Sequence, residues 1–145
     1  MKNFICYIGS LISIIIISSV FILCFRESSE AVRFLESYGW EVEDSPIETV
    51  EIKIPDIFDD VYENYNLLQI DAGLDLNPYK GKNAVRYTFR VKNYPENVYG
   101  EVRGNVIIVD GKPIAGDIST VAIDGFMHSL KMNSAACMNS DISIY

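Results

Sequence analysis

The sequence predicts an α+β fold in which two helices pack on one face of a small antiparallel sheet of about four strands, preceded by one transmembrane helix. Three observations lead to this prediction. An uncharged apolar run opens the chain, helical spacing of apolar residues comes before strand-like alternation, and an Asp-Gly pair joins two alternating segments. A chain of 145 residues has room for one modest domain plus an appendage.

The apolar run covers residues 4–25, contains no charge and is long enough to cross a bilayer as one helix. A cleaved signal peptide is the alternative, but signal segments are shorter and end at a small-residue site, whereas this run meets Arg26-Glu27 directly. We therefore expect an anchor (1–25), an extracytoplasmic α+β domain (26–131) and a disordered tail (132–145). The predicted location is the cell membrane, single-pass, with the C-terminal domain outside the cytoplasm and residues 4–25 in the lipid bilayer.

The segment after the apolar run predicts a short helix over residues 30–38. Ala31 and Leu35 lie on one face at helical spacing, and Gly39 offers a left-handed helix end. A half-buried strand follows over residues 50–54, where apolar and charged residues alternate.

The second helix has the clearest pattern. Asp56 is predicted as its N-cap and Gly73 as its end. Its apolar residues recur at intervals of three or four and are expected to face the core. They are Ile57, Phe58, Val61, Tyr62, Tyr65, Leu67 and Leu68.

An antiparallel meander is predicted after the second helix. Residues 85–91 alternate between an apolar face and a basic face, and residues 98–109 form the next strand. Asp110-Gly111 predicts a two-residue hairpin turn into a strand over residues 113–118. Residues 119–130 are expected to form a final turn or short helix.

The charge distribution excludes one class of partner. The chain carries 12 Lys and Arg against 20 Asp and Glu. No nucleic acid partner is expected, because phosphate binding is driven by clustered Lys and Arg. Most acids lie between residues 26 and 75, whereas residues 76–131 are mainly basic. The two halves are expected either to complement each other within one fold or to form a dipolar surface that orients a partner.

Several short strings in the soluble part form an ordered set. They are Phe34-Leu-Glu-Ser-Tyr-Gly-Trp40, Tyr65-Asn-Leu-Leu-Gln69, Asp75-Leu-Asn-Pro-Tyr-Lys-Gly-Lys82, Arg86-Tyr-Thr-Phe89, Asn93-Tyr-Pro95, Gly116-Asp-Ile118 and Asp124-Gly-Phe-Met-His128. Together they resemble an uncharacterised, membrane-anchored envelope family of Firmicutes-type bacteria, a domain of unknown function numbered 4830. The resemblance implies no known activity. Its pattern has a cysteine where this chain has Ser119, so thiol chemistry is not expected at that position.

His128 is the only histidine and therefore the one candidate imidazole base. A catalytic set would combine it with Ser119 or Ser129 and with Asp117 or Asp124. No nucleophile elbow surrounds either serine, so structural hydrogen bonding is the competing explanation. A hydrolase-like enzyme using His128, Ser119 and Asp124 is the alternative function. The scattered cysteines and single histidine predict no metal site, and no cofactor is expected.

Aromatic and basic side chains near the ends of the predicted elements suggest a binding surface, because exposed Tyr, Trp and Arg are favoured anchors. The candidates for partner binding are Tyr38, Trp40, Tyr65, Gln69, Tyr79, Arg86 and Arg90. The competing explanation is that the aromatic residues cover the rim of a small core. The leading prediction is a non-enzymatic, membrane-tethered module that recognises an envelope protein or peptide. A third possibility is an accessory subunit whose apolar helix binds another membrane protein.

Overall fold

The computed structural model describes residues 2–94, 100–122 and 125–132, without the side chains of residues 2–11 and 20–25. The described residues form an α+β fold of three helices and a five-stranded antiparallel sheet. The helices are α1 (Lys2–Ser37), α2 (Asp60–Asp71) and a 3₁₀ helix (Asn77–Tyr79). The strands are β1 (Glu48–Lys53), β2 (Asn83–Arg90), β3 (Val102–Val109), β4 (Lys112–Thr120) and β5 (Met127–His128).

The apolar run and the predicted helix over residues 30–38 form one continuous helix, α1. The helix ends at the predicted glycine, since Gly39 has a φ of +91° and its N–H donates to the carbonyl of Glu36 at 2.8 Å. Within the described side chains, no helix contains an apolar stretch long enough to cross a membrane. The anchor (1–25), with residues 4–25 in the bilayer, includes side chains that the structure does not describe, so it stays a prediction. The tail prediction also lies outside the described residues, apart from Met132.

The sheet is a meander with the strand order β1-β2-β3-β4-β5, and each neighbouring pair is antiparallel. The prediction of about four strands is one too low. Residues 119–130 were expected to form a turn or short helix, but Met127 and His128 pair with Ser119 and Ile118 as a fifth strand. This short pairing satisfies backbone groups on the outer edge of β4 that a helix would leave open.

The two main helices pack on opposite faces of the sheet, and the prediction that both cover one face is wrong. Side chains alternate along β3, so Val106 and Ile107 point to opposite faces. The face of Val106 packs against Leu35 of α1. The face of Ile107 packs against Tyr62 and Tyr65 of α2. Helical spacing shows that a helix has an apolar side, but it does not show which face of a sheet that side meets.

Two clusters of buried apolar residues follow from this arrangement. The cluster on the α1 face consists of Ala31, Leu35, Trp40, Val42, Ala72, Tyr87, Phe89, Val91, Val102, Val106, Ile108, Ile118 and Leu130. The cluster on the α2 face consists of Ile54, Phe58, Leu76, Ala84, Ile107, Val109, Ile114 and Ala115. Gly104 allows α1 to approach β3, because a Cβ atom there would lie 3.1 Å from Cδ1 of Leu35.

The start of α2 differs from the prediction. Asp59, not Asp56, is the N-cap, and its carboxylate accepts the N–H of Tyr62 at 2.9 Å. The carboxylate of Asp56 instead accepts from Nζ of Lys53 at 2.8 Å. Several acids precede this helix, and composition alone does not distinguish which one has the extended backbone that an N-cap needs.

The two fully buried residues of α2 are polar, whereas several of its apolar residues are exposed. Val61 is 73% exposed and Leu67 is 61% exposed, but Asn66 and Gln69 are buried. Asn66 accepts the N–H of Leu76 at 2.7 Å, and this bond fixes the return of the chain after the helix. Ile57, just before the helix, is 85% exposed. The expectation that Ile57, Val61 and Leu67 face the core is therefore wrong.

The β3–β4 hairpin has the predicted Asp-Gly turn and one feature that was not predicted. Asp110 and Gly111 both have positive φ, at 51° and 74°, as a type I′ turn requires. The pairing then shifts by one residue, because Ile108 pairs with Pro113 but Ile107 pairs with Ala115. This bulge sets which face each later residue of β4 occupies.

Ion pairs join the acidic and basic halves of the chain, as the charge distribution predicts. Between the halves, Arg86 pairs with Glu48 at 2.9 Å and Arg90 pairs with Glu43 at 3.0 Å. Within the second half, Arg90 also pairs with Glu101 at 2.6 Å. Such exposed pairs contribute little stability each, so their main effect is to neutralise the basic face of β2.

Candidate functional site

A groove of about 670 Å³ lies between α2 and the sheet face that carries the Ile107 side chain. Its wall is apolar and its floor is polar. The apolar lining consists of Ile52, Val61, Tyr62, Leu68, Ile107 and Met127. The polar lining consists of Asn64, Tyr65, Arg86, Asn105 and Asp117. We call this feature the α2 groove.

The floor of the α2 groove is a hydrogen-bonded network around the buried carboxylate of Asp117, which is 3% exposed. The hydroxyl of Tyr65 donates to Oδ1 of Asp117 at 2.8 Å, and Nδ2 of Asn105 donates to Oδ2 at 2.8 Å. Thr88 donates its hydroxyl to Oδ1 of Asn105, and Nδ2 of Asn105 also donates to Oγ of Ser119. The network therefore connects α2 with three strands of the sheet.

Burial controls the protonation of both titratable members of this network. Loss of solvent raises the pKa of Asp117, although the hydrogen bonds from Asn105 and Tyr65 and the charge of Arg86 oppose the shift. Burial and the neighbouring Asp117 raise the pKa of Tyr65 well above its usual value. Tyr65 therefore stays a hydrogen-bond donor, and both Asp117 oxygens have donors within the protein. This arrangement is suited to holding the floor rigid.

Arg86 provides the cation in the lining of the α2 groove. Its Nη2 atom donates to Glu48 at 2.9 Å, and its side chain is 39% exposed. Its Nε atom is buried and has no hydrogen-bond partner in the described part of the chain. Because Glu48 balances the charge, Arg86 contributes a neutralised polar group to the groove.

The apolar wall is open to solvent along the outer side of the α2 groove. Val61 is 73% exposed and Met127 is 45% exposed, although both are large apolar residues. They come from α2 and β5, on two sides of the same groove. Exposed apolar side chains around a concave surface are typical of sites that bind a partner.

Two of the predicted partner-binding residues, Tyr65 and Arg86, lie together in the α2 groove. Trp40 and Gln69 are completely buried. The indole Nε1 of Trp40 donates to the carbonyl of Leu130 at 2.6 Å, and Oε1 of Gln69 accepts the N–H of Gly116 at 2.8 Å.

The other three candidates make contacts away from the α2 groove. Tyr38 donates its hydroxyl to the carbonyl of Ala72 at 3.1 Å, and burial raises its pKa. Tyr79 packs against the cluster on the α2 face. Arg90 is held by Glu43 and Glu101. These contacts give the three residues roles within the fold.

The residues of the hydrolase alternative are not brought together. His128 pairs with Ile118 in the sheet, whereas Ser119 pairs with Met127, so the two side chains point to opposite faces. The ring of His128 contacts the Ser129 carbonyl through Nδ1 at 2.7 Å and the Tyr94 hydroxyl through Nε2 at 3.2 Å. Burial lowers its pKa.

The other residues of the hydrolase alternative are either hydrogen-bonded elsewhere or outside the described part of the chain. The hydroxyl of Ser129 donates to the carboxylate of Asp71. Asp124 lies outside the described residues. The described residues contain no group of three or more His, Cys, Asp or Glu side chains that could hold a metal ion.

Most of the α2 groove was not predicted from the sequence. The sequence indicates Asp117 only as a possible member of a catalytic set, and it does not indicate Asn105. The Gly116-Asp-Ile118 string marked the position of Asp117, but its partners depend on the β3–β4 register. An acid in the middle of an otherwise apolar strand was the available signal, because such a residue needs hydrogen-bond donors when it is buried.

Comparison with known proteins identifies one similarity. A family model described as Domain of unknown function (DUF4830) matches residues 34–118, which is more than half of the chain. The match includes α2, all of the Asp117 network except Ser119, and all of the groove lining except Met127. No curated protein and no solved structure is significantly similar to the chain.

Proposed function

The chain belongs to the DUF4830 family, and we propose that it is a membrane-tethered extracytoplasmic interaction module that recognises a protein or peptide through the α2 groove. The observation that carries this proposal is the open groove with exposed Val61 and Met127 above a hydrogen-bonded polar floor. Its volume lies within the range of ligand-binding clefts, and its open shape suits a few side chains of a peptide.

The proposed tether is the N-terminal part of α1, in the envelope of a Firmicutes-type bacterium. Five isoleucines on this part of the helix are between 52% and 69% exposed, which requires a covering by lipid or protein. They are Ile12, Ile14, Ile15, Ile16 and Ile17. The hydroxyls of Ser18 and Ser19 donate to the carbonyl of Ile15, so these two polar groups are compatible with an apolar surrounding.

Photo-crosslinking in native membranes tests the recognition surface. A photoreactive amino acid is placed at Asn64 or Met127, which line the α2 groove, and at Leu67, which is exposed on the same helix outside the groove lining. We expect one common adduct from Asn64 and Met127, and none of that mass from Leu67. Different adducts from the two groove positions, or an equal yield from Leu67, would contradict the proposal.

A further inference from the structure

The charge around the α2 groove is strongly one-sided. Residues 54–79, which include α2 and its flanks, contain six acids and neither Lys nor Arg. Asp60 and Glu63 are exposed in the first turn of α2, next to the groove residues Val61 and Asn64. A partner that crosses this helix therefore meets negative charge at the N-terminal end of the groove.

The opposite side of the groove does not balance these acids. Its cation, Arg86, is paired with Glu48, and the floor carries the buried carboxylate of Asp117. Lys53 and Lys80 border this stretch. Nζ of Lys53 pairs with Asp56 at 2.8 Å, and Nζ of Lys80 lies 4.2 Å from the ring centroid of Phe58, so two bases stand against the six acids. The surroundings of the groove are therefore net negative in the described part of the chain, and this disfavours phosphate-bearing or carboxylate-rich partners.

We infer that the segment recognised by the α2 groove carries apolar side chains flanked by lysine or arginine. The apolar side chains fill the space between Val61, Leu68 and Met127, and the basic flanks lie over Asp60 and Glu63. Burial of the apolar contacts supplies affinity, whereas the charges steer and orient the partner. This inference depends on the proposed function and specifies the chemistry of its partner.

Three synthetic peptide pools test the inference. Each pool has the same degenerate centre of Leu, Ile, Val and Phe, with flanks of Lys and Arg, of Asp and Glu, or of Ser and Gly. Binding to the full-length protein in a neutral maltoside detergent is measured by fluorescence anisotropy, with protein-free micelles as the blank. We expect the cationic pool to bind about tenfold more tightly than the anionic pool, and this preference to shrink as salt increases.

Matched variants separate charge from apolar contact. Asp60→Asn with Glu63→Gln should weaken binding of the cationic pool about threefold, whereas Glu36→Gln with Glu41→Gln, the same charge change elsewhere, should not. Val61→Ser should weaken binding of every pool, and Leu67→Ser should not. Near-UV circular dichroism of each variant checks that the fold is retained.

The outcomes distinguish the inference from the proposed function. Equal or tighter binding of the anionic pool, still lost in Val61→Ser, overturns the basic-partner inference and supports the groove as the recognition surface. Binding of no pool, or binding that Val61→Ser leaves unchanged, overturns both.

Discussion

Single buried polar residues connect the parts of this domain more specifically than its apolar residues do. Asn66, Gln69, Thr88 and Asp117 are nearly inaccessible to solvent, and each bonds to a group far away in the sequence or on another element. The energy of an apolar contact changes little when the two side chains shift slightly. A buried donor or acceptor that loses its partner, in contrast, destabilises the fold. These residues therefore determine how α2 and the strands are aligned.

Tyr65→Phe tests the Asp117 network. The change removes the hydroxyl that donates to Oδ1 of Asp117 and leaves a buried carboxylate with one donor fewer. We expect the free energy of unfolding to fall by about 1–3 kcal/mol in urea denaturation. Tyr62→Phe is the matched control, because Tyr62 packs beside Tyr65 through its ring. Equal effects of the two substitutions would show that the hydroxyl bond to Asp117 is unimportant.

His128 gives the protein a pH dependence of defined sign. Burial lowers its pKa in the folded state, so the unfolded chain binds a proton near pH 6.5 that the folded chain does not bind. The unfolding free energy should therefore fall as the pH is lowered from 7.5 through 6.5 towards the lowered pKa, and it should be level above that range.

The matched comparison is His128→Gln, which removes the only histidine. The raised pKa of Asp117 acts with the opposite sign, because a folded state that protonates more readily becomes more stable as the pH falls. Subtracting the variant's pH profile from that of the unchanged protein isolates His128. A difference that does not vary with pH would contradict the prediction.

At the scale of elements, α2 acts partly as a neighbour for the edge of β4. The side chain of Gln69 accepts the N–H of Gly116 at the outer edge of β4, on the side away from β3. Within the described residues no strand covers this edge at Gly116, because β5 pairs only with Ile118 and Ser119. A Cβ atom at position 116 would lie 2.9 Å from Cδ1 of Leu130, so the absence of a side chain at Gly116 also allows Leu130 to pack against β4. The helix therefore protects an edge that would otherwise be open to further pairing.

Gln69→Leu tests this edge bond. The change leaves the Gly116 N–H without its acceptor, but it also removes the Gln69 Nε2 atom, which has no partner in the described structure. Because these effects oppose each other, we expect a loss of only about 1 kcal/mol in unfolding free energy together with clearly faster hydrogen exchange at Gly116. Leu67→Ala is the control on the same helix, and unchanged protection of Gly116 in Gln69→Leu would contradict the bond.

The elements were more predictable than their arrangement. Gly39, Gly73 and the Asp110-Gly111 turn were read from local backbone chemistry, and all adopt the positive φ that they were expected to have. A two-residue hairpin without a bulge would pair Asn105 with Gly116 and turn Asp117 towards the α1 face. The extra residue, Ile114, moves Asp117 to the α2 face, and nothing in the local sequence marks it.

At the scale of the whole molecule, the folded domain begins well inside α1. The earliest buried residue of either apolar cluster is Ala31, and Glu27 is bonded to the hydroxyl of Tyr87 at 3.1 Å. The exposed isoleucines between Ile12 and Ile17 precede these contacts. Residues 12–19 of this continuous helix are therefore exposed, whereas its C-terminal part packs on the sheet. Under the proposed tethering, the helix would transmit the orientation of the tether to the domain.

Deletion of residues 2–25 tests this division of α1. Because the two apolar clusters and the Glu27–Tyr87 bond remain, we expect cooperative unfolding, an unchanged near-UV signal from the buried Trp40, and an unfolding free energy within about 1 kcal/mol of the full chain. Under the proposed tethering, the full chain sediments with membranes and resists carbonate extraction, whereas the deletion variant does not.

A full-length variant with Ile14→Lys and Ile16→Lys is the control for helix length, and it should leave the membrane fraction while keeping its fold. Sedimentation of the deletion variant would place the membrane contact in the domain, and loss of cooperative unfolding would show that the N-terminal part of α1 belongs to the core.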